Sequence, residues 1–179
     1  AGDRAHPPPH LTPPLLRQHF VLMLKATLEN VESVTLEPGF VFCVDWKDPA
    51  GHATRERVTL TAAEEHELPG SRGVAHLVLR WEKGSKHAGN ASVVALKGVT
   101  RAVTRADSEA WVPVAAFDCR GLEPTAFHPT TGFAVKSVAG TTWEGEGVDF
   151  SDDWVEYDEK LRDSVGVYGV EARFDVHRG

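Results

Sequence analysis

Two cysteines, nine histidines and an acidic run near the C-terminus carry most of the reactive side chains in this chain of 179 residues. Cys43 and Cys119 are too few for a disulfide framework or a four-thiolate zinc site. Each lies in an apolar run that reads as a strand, residues 40–46 and 112–119, so both are expected to pack as buried free thiols. A disulfide between them and a reactive thiol are the alternatives. His52, His66, His76 and His87 share one segment with Asp48 and Glu82, and imidazoles with carboxylates can bind zinc. Among those four histidines no pair has a ligand spacing such as His-x-x-x-His, so scattered surface or partly packed histidines are expected. His6 and His10 stand in a proline-rich lead, where any metal binding would be weak and incidental.

The acidic run holds Asp152, Asp153, Glu156, Asp158 and Glu159, and paired carboxylates are the raw material of acid–base catalysis. These acids follow one another with few apolar neighbours to raise a pKa, which points to a solvated loop or helix start. Trp154 and Tyr157 within it are expected to anchor the segment, in a structural or an interaction role. Ser151 and Ser164 have no adjacent histidine. His128, between Phe127 and Pro129, reads as turn packing. The glycines are dispersed, with no phosphate-binding loop. No catalytic constellation emerges, and no enzyme activity or cofactor is expected. Arg120 and Glu123, in Cys-Arg-Gly-Leu-Glu-Pro at 119–124, are the best placed for a special role. They read either as a binding motif or as an Arg–Glu pair bracing a turn.

The elements that must position these residues are mostly strands. Residues 1–19 form a Pro/His-rich arm, expected to be extended or disordered alone and to lie on a partner if ordered. The arm lacks the apolar core of a secretory signal, and a start at Ala1 fits either removal of an initiator methionine or organellar processing. Residues 20–98 form an N-terminal β half, with strands at 20–28, 39–46, 55–61, 74–81 and 91–97 separated by turn residues. Residues 98–109 read as a linker. Residues 110–179 form a C-terminal β half, with strands at 110–119, 133–138, 142–150 and 165–176. Residues 120–124 read as a turn in which Pro124 ends pairing. Residues 151–163 could form a helical turn, with Ser151 as N-cap. The expected fold is mostly β with little helix: two small antiparallel β-barrel- or sandwich-like halves packed together.

Five stretches carry a family resemblance: 24–31, Arg72-Gly73, 117–124, Gly132-Phe133 and 154–168. Together they resemble the eukaryotic CXXC-motif-containing zinc-binding protein family across about residues 22–176. The resemblance implies a mostly β protein with two similar halves and one structural zinc held by two Cys-x-x-Cys knuckles in the N-terminal half. The first knuckle should follow the strand at 40–46, where this chain has Lys47-Asp48-Pro49-Ala50-Gly51. The second should follow the strand at 74–80, where it has Trp81-Glu82-Lys83-Gly84. Lys47, Ala50, Trp81 and Gly84 therefore read as vacated knuckle positions, and loss of the zinc is expected. A Trp46–Trp81 pair filling the gap and two separately packed tryptophans are both open.

A net charge of −7 with dispersed acids argues against a nucleic-acid surface, and no apolar run is long enough for a membrane span. The expected function is a non-enzymatic β-rich scaffold or interaction protein, an accessory or structural subunit of a larger protein assembly. The alternative is a metal-handling protein using histidine and carboxylate ligands. The expected setting is intracellular. The resemblance makes the cytoplasm the default, and a mitochondrial or other organellar subunit is the alternative.

Overall fold

The computed structural model describes residues 16–84 and 88–179. Fifteen strands form among them: β1 (Arg17–Glu29), β2 (Val31–Leu36), β3 (Phe42–Lys47), β4 (Thr54–Leu60), β5 (His66–Glu67), β6 (Val74–Ala75), β7 (Leu77–Leu79), β8 (Gly89–Val94), β9 (Val103–Thr104), β10 (Val112–Arg120), β11 (Glu123–Phe127), β12 (Phe133–Ser137), β13 (Thr142–Trp143), β14 (Trp154–Asp158) and β15 (Asp163–His177). The described helix is limited to two 3-10 turns, Arg105–Asp107 and Gly145–Gly147.

β1 is the organising strand. Phe20, Leu22 and Leu24 line one buried face and Val21 is buried on the other, so the start of the strand is covered on both sides. It pairs antiparallel with β10 on one side and β15 on the other, inside a six-stranded sheet of order β14-β15-β1-β10-β8-β7. That sheet curls into a half-barrel. Two smaller sheets, β11-β3-β4 and β13-β12-β2-β9, complete the architecture beside the β5-β6 ribbon. Each of the three larger sheets draws strands from both 20–98 and 110–179, so the two segments are interleaved by backbone hydrogen bonds.

The core is aromatic. Phe42 meets Phe117 edge-on at 5.1 Å between ring centroids, Phe40 meets Phe133 at 5.0 Å, and Phe133 meets Phe150 at 4.5 Å. Trp46, Phe117 and Phe133 have no exposed surface. Burial of each such side chain is worth about 1.5–3 kcal/mol, and the ring contacts add to it.

Several boundaries differ from the sequence expectations. Residues 17–19 belong to β1 rather than to an arm, because Arg17, Gln18 and His19 pair with Arg120, Cys119 and Asp118. The rest of the arm, with His6 and His10, lies outside the described residues apart from Leu16. The single strand expected at 74–81 is broken at His76: β6 turns to β5 while β7 joins β8. The stretch 98–109 contains β9, which pairs with β2. The strand expected at 142–150 stops at Trp143, where Gly145 takes φ +80° and opens a 3-10 turn. Pro124 does not end pairing but sits inside β11, opposite Trp46. β11 is the edge of its sheet, where a residue without an N–H is tolerated.

The segment 151–163 forms no helix. Ser151 donates its backbone N–H to Asp149 Oδ1 at 2.9 Å, and the chain then enters β14. The strand-favouring side chains of Trp154, Val155 and Tyr157, paired with β15, outweigh the capping residues before them.

Candidate functional site

The four positions that read as vacated knuckles fall at two loops, the β3–β4 turn and the turn after β7. Lys47 closes β3, opposite both Thr54 of β4 and Glu123 of β11. Its Nζ lies 3.2 Å from Glu123 Oε2. Ala50 sits in the β3–β4 turn, where its N–H donates to Asp48 Oδ1 at 2.9 Å. Trp81 follows β7. Its indole Nε1 donates to the Gly121 carbonyl at 2.9 Å, and its own carbonyl accepts from Arg55 Nη2 at 3.0 Å. The Arg55 guanidinium also lies 5.6 Å from the Trp81 ring centroid, a cation–π contact. Gly84 has φ +81°, a left-handed turn conformation suited to glycine.

These contacts tie the β3–β4 hairpin, the turn after β7 and the 120–123 turn to one another. Backbones also approach closely here: a Cβ on Gly89 would stand 2.6 Å from the Gly121 oxygen. Trp46 does not pair with Trp81. It turns into the core, donates to the Val58 carbonyl at 3.3 Å and meets Phe117 edge-on at 6.3 Å.

The donor chemistry at the four positions does not fit zinc. Zinc takes thiolate, imidazole or carboxylate ligands. Lys47 offers a cation, already paired with Glu123. Ala50 and Gly84 offer no side-chain donor, and the Trp81 indole is a hydrogen donor already engaged. The alternative histidine and carboxylate set is dispersed. Asp48 Oδ1 caps its own turn, and His52, His66 and Glu82 are exposed. His76 Nδ1 accepts the Val93 N–H at 2.8 Å, which places the ring proton of neutral His76 on Nε2. His87 lies outside the described residues. Among the described residues no three His, Cys, Asp or Glu side chains converge to hold a metal ion.

Both cysteines are free thiols. Cys119 is buried, and that burial pushes its thiol pKa far up, with the Asp118 and Glu123 charges adding to the shift. Such a thiol is inert as a nucleophile. Cys43 is half-buried.

Other singled-out residues separate into different surroundings. Arg120 is exposed at the end of β10, and the partner of Glu123 is Lys47. The acid expected to pair with Arg120 is thus recruited by a knuckle position. Trp154 is buried, donates to the Gly147 carbonyl at 3.1 Å and stacks edge-on against Trp143 at 5.5 Å. Tyr157, expected beside it as an anchor, is 56% exposed. His128 Nε2 lies 2.8 Å from Asp45 Oδ1, which also accepts the Arg57 N–H at 2.8 Å.

Asp158 is a buried structural centre rather than one of a solvated acid run. It accepts from Ser137 Oγ at 2.5 Å, Thr141 Oγ1 at 2.8 Å and the Lys160 N–H at 3.0 Å. The Ser137 hydroxyl holds its carboxyl below the usual range, against the opposing effect of burial, with Thr141 assisting.

A cavity of about 280 Å³ lies elsewhere, lined by Leu24, Val34, Leu36, Arg101, Val103 and Phe133 among others. Its one lining guanidinium, Arg101, is held by Asp107 through two bonds of 2.6 and 2.9 Å. It includes neither Arg120, nor Glu123, nor any of the 152–159 acids.

Sequence reasoning singled out the loops after β3 and β7 but missed Arg55, Gly121 and Asp45. Arg55 is an ordinary strand residue in the sequence, and nothing local announces that its guanidinium reaches a loop 26 positions away.

Residues 21–175 match the family described as CXXC motif containing zinc binding protein, eukaryotic, and the chain belongs to that family. It is 32% identical to the human CXXC motif containing zinc binding protein over 161 residues, covering 86% of this chain and 95% of that protein. A UPF0587 protein of Nematostella vectensis is 34% identical over 161 residues, with the same two coverages. The crystal structure of C1orf123 superposes with a TM-score of 0.78 at 29% identity, covering 89% of this chain and 99% of the other. A hypothetical protein from Plasmodium falciparum gives 0.79 at 25% identity, again covering 89% and 99%. Within a family described by its Cys-x-x-Cys motif, this chain has no such motif, since its two cysteines stand 76 positions apart.

Proposed function

We propose that this chain is a zinc-independent member of its family, a non-enzymatic β scaffold acting through protein contacts as an accessory or structural subunit of a larger assembly. The observation carrying this reading is the bracing of the knuckle loops. Arg55 on Trp81, Trp81 on Gly121 and Lys47 on Glu123 join the loops that a zinc ion would otherwise pin. A structural zinc contributes folding energy directly. A chain that keeps the fold without thiolates needs another fastening, and these side chains supply one. Two free thiols and no paired cysteine support a reducing, intracellular setting. No helix among the described residues is long and apolar enough to cross a membrane.

Thermal unfolding with and without a strong chelator tests the fastening. The melting temperature should be the same in both. A fall of several degrees on chelation would mean that a metal holds the loops. Native mass spectrometry of the protein isolated from its own source tests the subunit role. A stoichiometric protein partner is expected, and a bare monomer would count against the role.

A further inference from the structure

We propose that β14 is a docking edge for an extended, basic segment of a protein partner, which adds a seventh strand to the six-stranded sheet. The proposal deepens the scaffold reading and rests on it. β14 stands at the end of the sheet order, paired with β15 on one side and with no strand on the other among the described residues. The outward N–H and C=O groups of such an edge are a template for another strand. Val155, Glu156 and Tyr157 are exposed in succession, so both sheet faces are open beside the edge. Val155 is 54% exposed and Tyr157 56%, two residues apart on one face, where they can meet alternate apolar side chains of an added strand.

The ends of this edge are fixed. Trp154 is locked by Gly147 and Trp143, and Asp158 by Ser137 and Thr141. Little ordering cost therefore falls on β14 when it is joined.

Charge selects the occupant. From Lys136 to Arg162 the chain has eight Asp or Glu residues against three bases, Lys136, Lys160 and Arg162, a net acidic stretch. A second copy of this chain is a poor occupant. Antiparallel self-pairing centred on the strand sets Glu156 directly opposite its own copy, and like charges in that position are destabilising. A segment alternating lysine or arginine with apolar residues satisfies the backbone, the Val155–Tyr157 face and the acidic surroundings together.

The test uses the whole chain and two capped ten-residue peptides, one alternating lysine with valine and its counterpart with glutamate in place of lysine. Amide shifts and hydrogen exchange are followed by NMR. The lysine peptide should shift and protect the Val155, Glu156 and Tyr157 amides, more weakly as salt rises. The glutamate peptide should leave them unchanged. Val155→Lys and, separately, Tyr157→Ser should each weaken lysine-peptide binding about tenfold with the spectrum otherwise preserved. Equal effects of the two peptides, changes only away from β14, or binding unaltered in both variants would overturn the proposal. So would a concentration-dependent dimer formed through β14. A stable natural partner that leaves the β14 amides unprotected overturns the docking edge and keeps the scaffold reading. A strict monomer in native mass spectrometry removes the scaffold reading itself, whatever the peptides do.

Discussion

Trp81 links the turn after β7 to both β4 and the 120–123 turn. Its indole reaches the Gly121 carbonyl, its carbonyl takes the Arg55 guanidinium, and its ring lies under the same guanidinium. Lys47, by contrast, makes one ion pair with a side chain that is half exposed. The two positions are therefore expected to differ sharply. Trp81→Ala should destabilise the fold by about 2–4 kcal/mol through lost packing and an orphaned carbonyl. Lys47→Ala should cost under about 1 kcal/mol, as exposed pairs do. Urea midpoints of the two variants measure the contrast, and equal effects would contradict it. At this scale the sequence was only partly legible. The absence of ligands at Lys47, Ala50, Trp81 and Gly84 can be read from residue types alone. The replacement contacts cannot, because Arg55 and Gly121 reach Trp81 through folding rather than through spacing.

Among the elements, β14 shows where local rules mislead. Asp152, Asp153 and Ser151 look like the start of a helix, yet Trp154 must be buried, and its neighbours then alternate across a strand. Pro124 misleads in the same way, since only the sheet order reveals that β11 is an edge. β15 was legible because its apolar alternation runs long, and β1 because it opens on an apolar run. The link between β14 and the loop after β12 is a carboxylate, Asp158, whose hydroxyl partners Ser137 and Thr141 hold its pKa down. The sign follows from that direction. Stability from this link is fully present above the unfolded carboxyl value of about 3.9, and is lost as pH falls through the lower folded value. Asp158→Asn should reduce stability at pH 7 and flatten its fall below about pH 4. Chemical denaturation across that range checks both, and an unchanged acid profile in the variant would count against the assignment.

At the scale of the whole molecule, the three larger sheets each combine strands from 20–98 and 110–179, with β1 held between β10 and β15. The expectation of two packed β halves captured the content of the fold but not this interleaving, which depends on long-range pairing invisible to local pattern. Neither segment can unfold without breaking the other's hydrogen bonds. A single cooperative transition is therefore expected, with calorimetric and van't Hoff enthalpies in agreement. Two resolved transitions would show that the halves are energetically separate. Family membership explains why the fold is kept, and the altered knuckle loops explain what this member is proposed to have given up. The most direct measurement is the zinc content of the protein purified without a histidine tag, by elemental analysis. The account predicts less than about a tenth of an equivalent per chain, far below the occupancy that a tight structural site retains. One equivalent of zinc, retained through dialysis and removed only with loss of the fold, would contradict it.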